Sequence, residues 1–232
     1  MKRVVFPILM VGLALAAQTA DAQSKKIDDA KKSLQPLNDF VGTWSGDAKA
    51  DGLKKDIWVE GLEWGWKFTK DDAWMVLKFK DSKTFKSGDI RYNPEKMLYV
   101  ANMVDLKDQK LTYEGKLDND TYILERVDDK TKEAHRLRIN VAGDGIFLNM
   151  ASARKGPGKT LFSPEYKVSY KMEGAGFAKE KKQECVVSGG LGTGAVTYKG
   201  QTYFICCSGC RDAFNENPEF YVKQFEAKKG KK

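Results

Sequence analysis

The chain has 232 residues, and its 40 lysines and arginines outnumber its 32 aspartates and glutamates to give a formal charge of +8. This length suits one large domain, or one medium and one small domain. The positive charge is scattered, and the absence of a basic stripe or a known nucleic-acid module argues against nucleic acid as a partner. A single histidine, His135, cannot support a Ser-His-Asp set, and the carboxylates are spread along the chain. The sequence therefore does not predict an enzyme.

The N-terminus has the form of an export signal. Two basic residues are followed by an apolar run at residues 4–17, which is too short for a membrane span. Small residues at positions 20 and 22 predict cleavage before Gln23, so that residues 1–22 form a signal peptide; an uncleaved anchor is the alternative. No second apolar run of spanning length follows. We therefore expect a periplasmic or secreted protein without stable membrane insertion.

The middle of the chain has the pattern of antiparallel strands. Residues 23–35 are predicted to form a helical lead-in that is broken near Pro36. Further on, Leu137, Ile139 and Val141 alternate with polar residues, which is the period of a half-buried strand. Clusters of turn-forming residues separate such runs at short intervals. The sequence therefore predicts a mainly β fold, either a sandwich or a barrel, and closure into a barrel is favoured because it removes sheet edges.

All five tryptophans lie between residues 44 and 74. One interpretation is that they pack the core. The other is that Trp58, Trp64, Trp66 and Trp74 line a cavity that binds a small apolar ligand. Trp64 and Trp66 are two positions apart, so they share one face of a strand.

The opening sequence GTWSG at residues 42–46, with the later stretch SGDIRYNPEKMLYVANMVD, resembles the lipocalin-like (calycin) domains related to nitrobindin. The resemblance spans residues 36–173 and depends on strand rhythm after the opening. It implies an antiparallel barrel of eight to ten strands whose interior holds an apolar ligand. Nitrobindins hold haem through a histidine, and His135 matches no such ligand position, so haem is not expected.

A change in composition predicts a second domain. Residues 174–184 are polar, contain glycine and are rich in lysine, as linkers are. A small domain at residues 185–226 follows, and a Lys-rich tail at residues 227–232 ends the chain. Because a linker makes few contacts, we expect the barrel to fold without the small domain.

The small domain holds all four cysteines of the chain, at positions 185, 206, 207 and 210. Two β-prone runs around Lys199-Gly200 predict a hairpin, whose second strand ends at Cys206 and Cys207. A helix then begins, with Cys210 near its N-terminus. A helix N-terminus lowers the pKa of a thiol, and thiolate is the form that binds metal.

A second predicted helix completes the small domain. Asn217 suits its N-cap and Pro218 its first position. Phe220, Val222 and Phe225 are then expected to pack on the hairpin.

The stretches CVVSGG and VTYKGQTYFICCSGCRDAFNENPEFYV resemble the TRASH/YHS family of small metal-associated domains. That family places one cysteine about twenty residues before a Cys-x3-Cys pair, which Cys185, Cys206 and Cys210 match. The resemblance implies a zinc-ribbon-like metal site of these three thiols. Zinc-binding relatives carry a further cysteine where this chain has Ser188. The fourth ligand is therefore left open among Cys207, an acidic neighbour, water, or none.

The predicted function is to bind, sequester or hand over a metal, Zn(II) or Cu(I), since soft thiolates suit both ions. The partners would be the metal ion and a protein that donates or accepts it. A first alternative is a carrier of a small apolar ligand, with a structural metal or disulfides, because exported thiols can oxidise. A second is a thiol-disulfide redox protein with a Cys-x2-Cys pair at Cys207 and Cys210, although the surrounding βαβ unit of such enzymes is absent.

Overall fold

The computed structural model describes residues 27–50, 56–174 and 183–230. The predicted signal peptide at residues 1–22 and most of the predicted linker at residues 174–184 lie outside the described residues. Within these three ranges, no helix is both long and apolar enough to cross a membrane.

Ten antiparallel strands form a closed barrel. Each strand pairs with its neighbours in sequence, and the first pairs with the last, which closes the sheet. The mainly β, lipocalin-like barrel predicted from the sequence is confirmed. The strands are β1 (Gly42–Ala50), β2 (Ile57–Phe68), β3 (Ala73–Lys80), β4 (Phe85–Asn93), β5 (Leu98–Asp105), β6 (Lys110–Asp118), β7 (Thr121–Val127), β8 (Ala134–Ala142), β9 (Phe147–Lys155) and β10 (Ser163–Met172).

The alternation of side chains divides the barrel into an inner and an outer face. In β8, Leu137 and Ile139 are buried while Arg138 between them is exposed. Leu137 lies opposite Leu124 of β7 and Ser152 of β9, which are also buried. The inner face of the strands forms most of the hydrophobic core.

One end of the barrel is covered by the N-terminal plug, which we define as residues 27–40. Residues 27–34 are helical, and the chain tightens into a 3-10 helix at Gln35–Phe40, which has Pro36 in its first turn. Phe40 stacks on Trp64 with 5.1 Å between ring centroids, and its carbonyl accepts a 3.0 Å hydrogen bond from the Trp44 indole. The plug thus ties the chain start to the tryptophans of β1 and β2.

The C-terminal part begins with a hairpin of β11 (Gly194–Tyr198) and β12 (Gln201–Ile205). Its two turn residues, Lys199 and Gly200, have φ of 48° and 78°. Two positive φ angles in a two-residue turn are the type I′ geometry that matches strand twist. The turn predicted at these residues is confirmed.

Two helices follow, α1 (Ser208–Glu216) and α2 (Pro218–Lys229). The Asn217 side chain accepts a hydrogen bond from the Phe220 amide, so Asn217 is the N-cap of α2 as predicted. Val222 is buried and Phe225 packs near the Tyr203 ring. Phe220 is 37% exposed, so the prediction that it packs on the hairpin is wrong. Its ring lies against Tyr221 instead.

The thiol module, defined as residues 183–230, packs directly on the barrel. Strand β1 begins at Gly42, opposite Trp64, so the backbone of β2 beyond Trp64 has no partner from β1. The start of α1 lies against this stretch: a Cβ on Gly209 would lie 1.7 Å from the Trp66 carbonyl oxygen. Ser208 Oγ donates to Glu63 of β2 at 3.3 Å. The two parts share one hydrophobic core, which differs from the expectation of a barrel separated by a linker.

Candidate metal centre

Three buried thiols converge within the thiol module. Cys185 comes from a turn before the hairpin, Cys206 follows β12, and Cys210 lies in the first turn of α1. Their Sγ atoms all lie within 4.8 Å of one another, and those of Cys206 and Cys210 are 3.4 Å apart. In the part of the chain that the structure describes, this is the one group of three or more His, Cys, Asp or Glu side chains close enough to share a metal ion. Among the described residues, no Asp or Glu side chain is close enough to these three sulfurs to be a fourth ligand.

Backbone hydrogen bonds hold Cys185 against the hairpin. The Val186 amide donates to the Phe204 carbonyl at 2.8 Å, which joins the turn to β12. The turn itself is closed by two bonds, from Gly189 N–H to the Cys185 carbonyl at 2.9 Å and from Cys185 N–H to the Gly190 carbonyl at 2.7 Å. Cys185 is therefore presented to Cys206 and Cys210 by local structure.

The fourth thiol, Cys207, faces the barrel. Its Sγ accepts a hydrogen bond from the Trp66 amide at 3.3 Å and lies 3.8 Å from Cys206 Sγ. Cys207 also packs on Gly65 of β2, where an added Cβ would be in ordinary contact with it at 3.4 Å. Cys207 is therefore beside the three-thiol group, with its sulfur already engaged by β2.

The pKa values of the four thiols are shifted in opposite directions. Hydrogen bonds from Cys206 and then from Cys210 lower the pKa of Cys185. Hydrogen bonds from the same two thiols lower the pKa of Cys207. Conversely, hydrogen bonding to Cys185 raises the pKa of Cys206, and burial, followed by the neighbouring thiols, raises the pKa of Cys210. A bound cation would replace these hydrogen bonds, because metal binding displaces thiol protons.

Ser188 stands where the zinc-binding relatives carry a further cysteine, and in the structure it lies beside the thiols. Its Oγ lies 3.3 Å from Cys206 Sγ, and its amide lies 3.5 Å from Cys185 Sγ in a hydrogen bond. The side chain is buried. A turn brings Ser188 close to Cys185. Its contact with Cys206, 18 positions later in the chain, leaves no local pattern in the sequence.

The spacing of the three sulfurs fits a soft metal ion. In a tetrahedral site with zinc–sulfur bonds of 2.3 Å, neighbouring sulfurs are about 3.8 Å apart. Cys206 and Cys210 are 3.4 Å apart and no pair exceeds 4.8 Å, so the group is close to that spacing. Small side-chain adjustments would therefore suffice for Cys185, Cys206 and Cys210 to share one ion.

The four tryptophans predicted to line a ligand cavity do not share one surface. Trp64 and Trp66 point inward and are fully buried. Trp58, on the same face of β2, is partly buried, and its indole donates to Glu60 at 2.7 Å. Trp74 is on the outer face, with the Arg91 guanidinium 4.2 Å from its ring centroid. Its neighbours in β3 point inward, so strand alternation places Trp74 outside and the prediction is wrong for this residue.

The barrel interior carries polar groups that suit an apolar ligand poorly. Glu60 is 1% exposed and accepts hydrogen bonds from Trp58 and Tyr170. Four buried polar atoms have no hydrogen-bond partner among the described residues, and they belong to Trp64, Tyr122, Arg126 and Tyr166. Apolar contact would leave such groups unpaired, which is costly. The predicted apolar cargo is not supported by this lining.

No family model matches the chain, and no curated protein matches it. Among solved structures, the crystal structure of Rv2717c from M. tuberculosis is similar, with a TM-score of 0.40, 13% identity, and 61% of this chain and 97% of that chain covered. The S-type phycobiliprotein lyase CPES from Guillardia theta is also similar, with a TM-score of 0.40, 12% identity, and 60% and 92% of the two chains covered. At this identity the likeness concerns the fold alone.

Proposed function

We propose that this protein binds one soft transition-metal ion, Zn(II) or Cu(I), through Cys185, Cys206 and Cys210, and hands it to a partner. The observation that carries the proposal is the convergence of three buried sulfurs from three separate elements. Thiolates are soft ligands that suit both ions. The export signal predicted at residues 1–22 supports a periplasmic or secreted location.

The surroundings of the cluster support handover. A surface cleft of about 740 Å³ lies between the plug and the turn that carries Cys185, and Glu184, Gly189 and Gly190 line it on the thiol side. A partner seated in this cleft would contact the turn that holds the first ligand. The turn that carries the first ligand therefore borders this cleft, and the cysteines themselves lie behind it.

The same geometry is less favourable to a redox enzyme. A thiol-disulfide enzyme with a Cys-x2-Cys site would pair Cys207 with Cys210. Here the close partner of Cys210 is Cys206, while the Cys207 sulfur is bonded to the Trp66 amide. The predicted Cys-x2-Cys pair is thus not the pair that the fold brings closest.

The test compares four single substitutions in reduced, full-length protein. Cys185→Ser, Cys206→Ser and Cys210→Ser should each abolish stoichiometric metal, measured by elemental analysis after equilibrium dialysis with zinc or with Cu(I). Cys207→Ser is the matched control, since it removes a neighbouring thiol outside the group, and it should keep about one ion per chain. A free-thiol count before loading verifies that all variants are reduced. Metal retained by all three ligand variants would overturn the proposal.

A further inference from the structure

A tetrahedral ion bound to the three thiols would have a fourth corner, and the Ser188 hydroxyl lies beside them. Ser188 Oγ is 3.3 Å from Cys206 Sγ, while the Ser188 amide donates to Cys185 Sγ. The hydroxyl is therefore as close to Cys206 as two ligands of one tetrahedral zinc ion are to each other. Cys207 is the competing group, but to turn inward it would have to give up the hydrogen bond from the Trp66 amide.

The barrel fixes Ser188 in this place. The Ser188 carbonyl accepts a 3.2 Å hydrogen bond from the Asn38 side-chain amide, and the carbonyl of that side chain accepts a 2.9 Å bond from the Trp66 indole. Within the turn, the Gly190 amide donates to Ser188 Oγ at 3.3 Å. Asn38 and Trp66 are both buried. The position of the hydroxyl thus depends on the plug and β2 as well as on the turn.

We propose that Ser188 is a specificity-determining residue that keeps this site at three sulfurs and so makes a bound zinc ion exchangeable. The proposal rests on the function proposed above. Structural zinc sites almost always have four protein ligands, whereas sites with three keep an open position. A neutral hydroxyl is a much poorer partner for a soft ion than a thiolate. A zinc ion held by three cysteines therefore lacks the fourth protein ligand that would slow its release.

Cu(I) provides an internal comparison. A soft monovalent ion is satisfied by fewer thiolates, so the fourth corner matters less to it than to zinc. Changing Ser188 to cysteine should therefore affect the two ions differently. A general change in folding or in thiol reactivity would affect both alike.

The experiment uses full-length reduced protein and compares Ser188→Cys with Ser45→Cys. Ser45 is exposed on β1, so its substitution adds a fifth thiol away from the cluster. Zinc affinity and release rate are measured by competition with a chromophoric chelator, and Cu(I) affinity by competition with a Cu(I)-specific one. We expect Ser188→Cys to raise zinc affinity by about tenfold or more and to slow its release, as a change in a metal's immediate surroundings does. Cu(I) affinity should change by much less, and Ser45→Cys should match the wild type.

The outcomes separate this inference from the proposed function. If the wild type binds metal and Ser188→Cys matches Ser45→Cys, the role of Ser188 is refuted while the function stands. If the wild type binds neither ion, the proposed function fails, and the inference about Ser188 fails with it because there is no bound zinc to exchange, whatever Ser188→Cys binds.

Discussion

Gly209→Ala is the sharpest perturbation of the contact between the thiol module and the barrel. Gly209 is the second residue of α1, where alanine should stabilise a helix by about 0.5–1 kcal/mol on propensity alone. The new Cβ, however, would lie 1.7 Å from the Trp66 carbonyl oxygen, a backbone atom that cannot rotate away. Helix propensity therefore predicts that Gly209→Ala stabilises the protein, whereas packing predicts that it destabilises it.

The size of the effect follows from what must move. To restore an ordinary contact, the start of α1 has to retreat from β2 by more than about 1 Å. Overpacking of this kind costs about 1–3 kcal/mol, and the retreat also stretches the hydrogen bond from the Trp66 amide to Cys207, whose loss costs about 1–3 kcal/mol. We expect a net destabilisation of about 2–4 kcal/mol, or roughly 5–15 °C in melting temperature for a chain of this size.

Denaturant unfolding followed by tryptophan fluorescence measures this change. Gly156→Ala is the matched control, because its Cβ would lie 3.8 Å from the nearest side-chain atom, and it should alter stability by less than about 0.5 kcal/mol. If Gly209→Ala melted at or above the wild-type temperature, the close contact between α1 and β2 would be refuted.

Three further outcomes are expected. Tyr170→Phe removes a donor to the buried Glu60 carboxylate and should destabilise by about 1–3 kcal/mol in denaturant unfolding, whereas Tyr122→Phe, which removes a hydroxyl without a described partner, should not. Hydrogen bonds, first of all from the Thr131 amide, lower the pKa of Asp128 to about 2. The stabilisation by the Asp128 carboxylate is therefore present above about pH 4 and is lost as the pH falls toward 2. In Asp128→Ala, the free energy of unfolding should depend less on pH between about pH 4 and 2 than in the wild type. A chain that ends after β10 should melt below the full chain in calorimetry, because α1 no longer covers β2, and equal melting temperatures would contradict the shared core.

Local pattern was enough for much of the fold. The alternation at Leu137 and Ile139 predicted a half-buried strand, and Lys199-Gly200 predicted a two-residue turn, because a strand and a turn are each determined by adjacent residues. The N-cap at Asn217 was predictable for the same reason. These features need no knowledge of the rest of the chain.

The contacts that define the candidate site were not predictable in this way. The hydrogen bond between Trp66 and Cys207 spans 141 positions, and that between Asn38 and Ser188 spans 150. Neither leaves a local period or spacing in the sequence. Trp74 was assigned wrongly for a different reason. Its aromatic character suggested a cavity lining, but its neighbours in β3 point inward, so Trp74 points outward.

The docking of the thiol module changes what its cysteines must do. A module of 48 residues is marginal alone, and small metal domains usually obtain their stability from the bound ion. Here the buried residues of the module, such as Val187 and Phe214, belong to the same core as the barrel, and α1 packs on β2. The fold of the module therefore does not have to depend on the metal. A site that stays folded when the ion leaves can keep its three sulfurs in place for the next ion, which is the condition that the proposed handover requires.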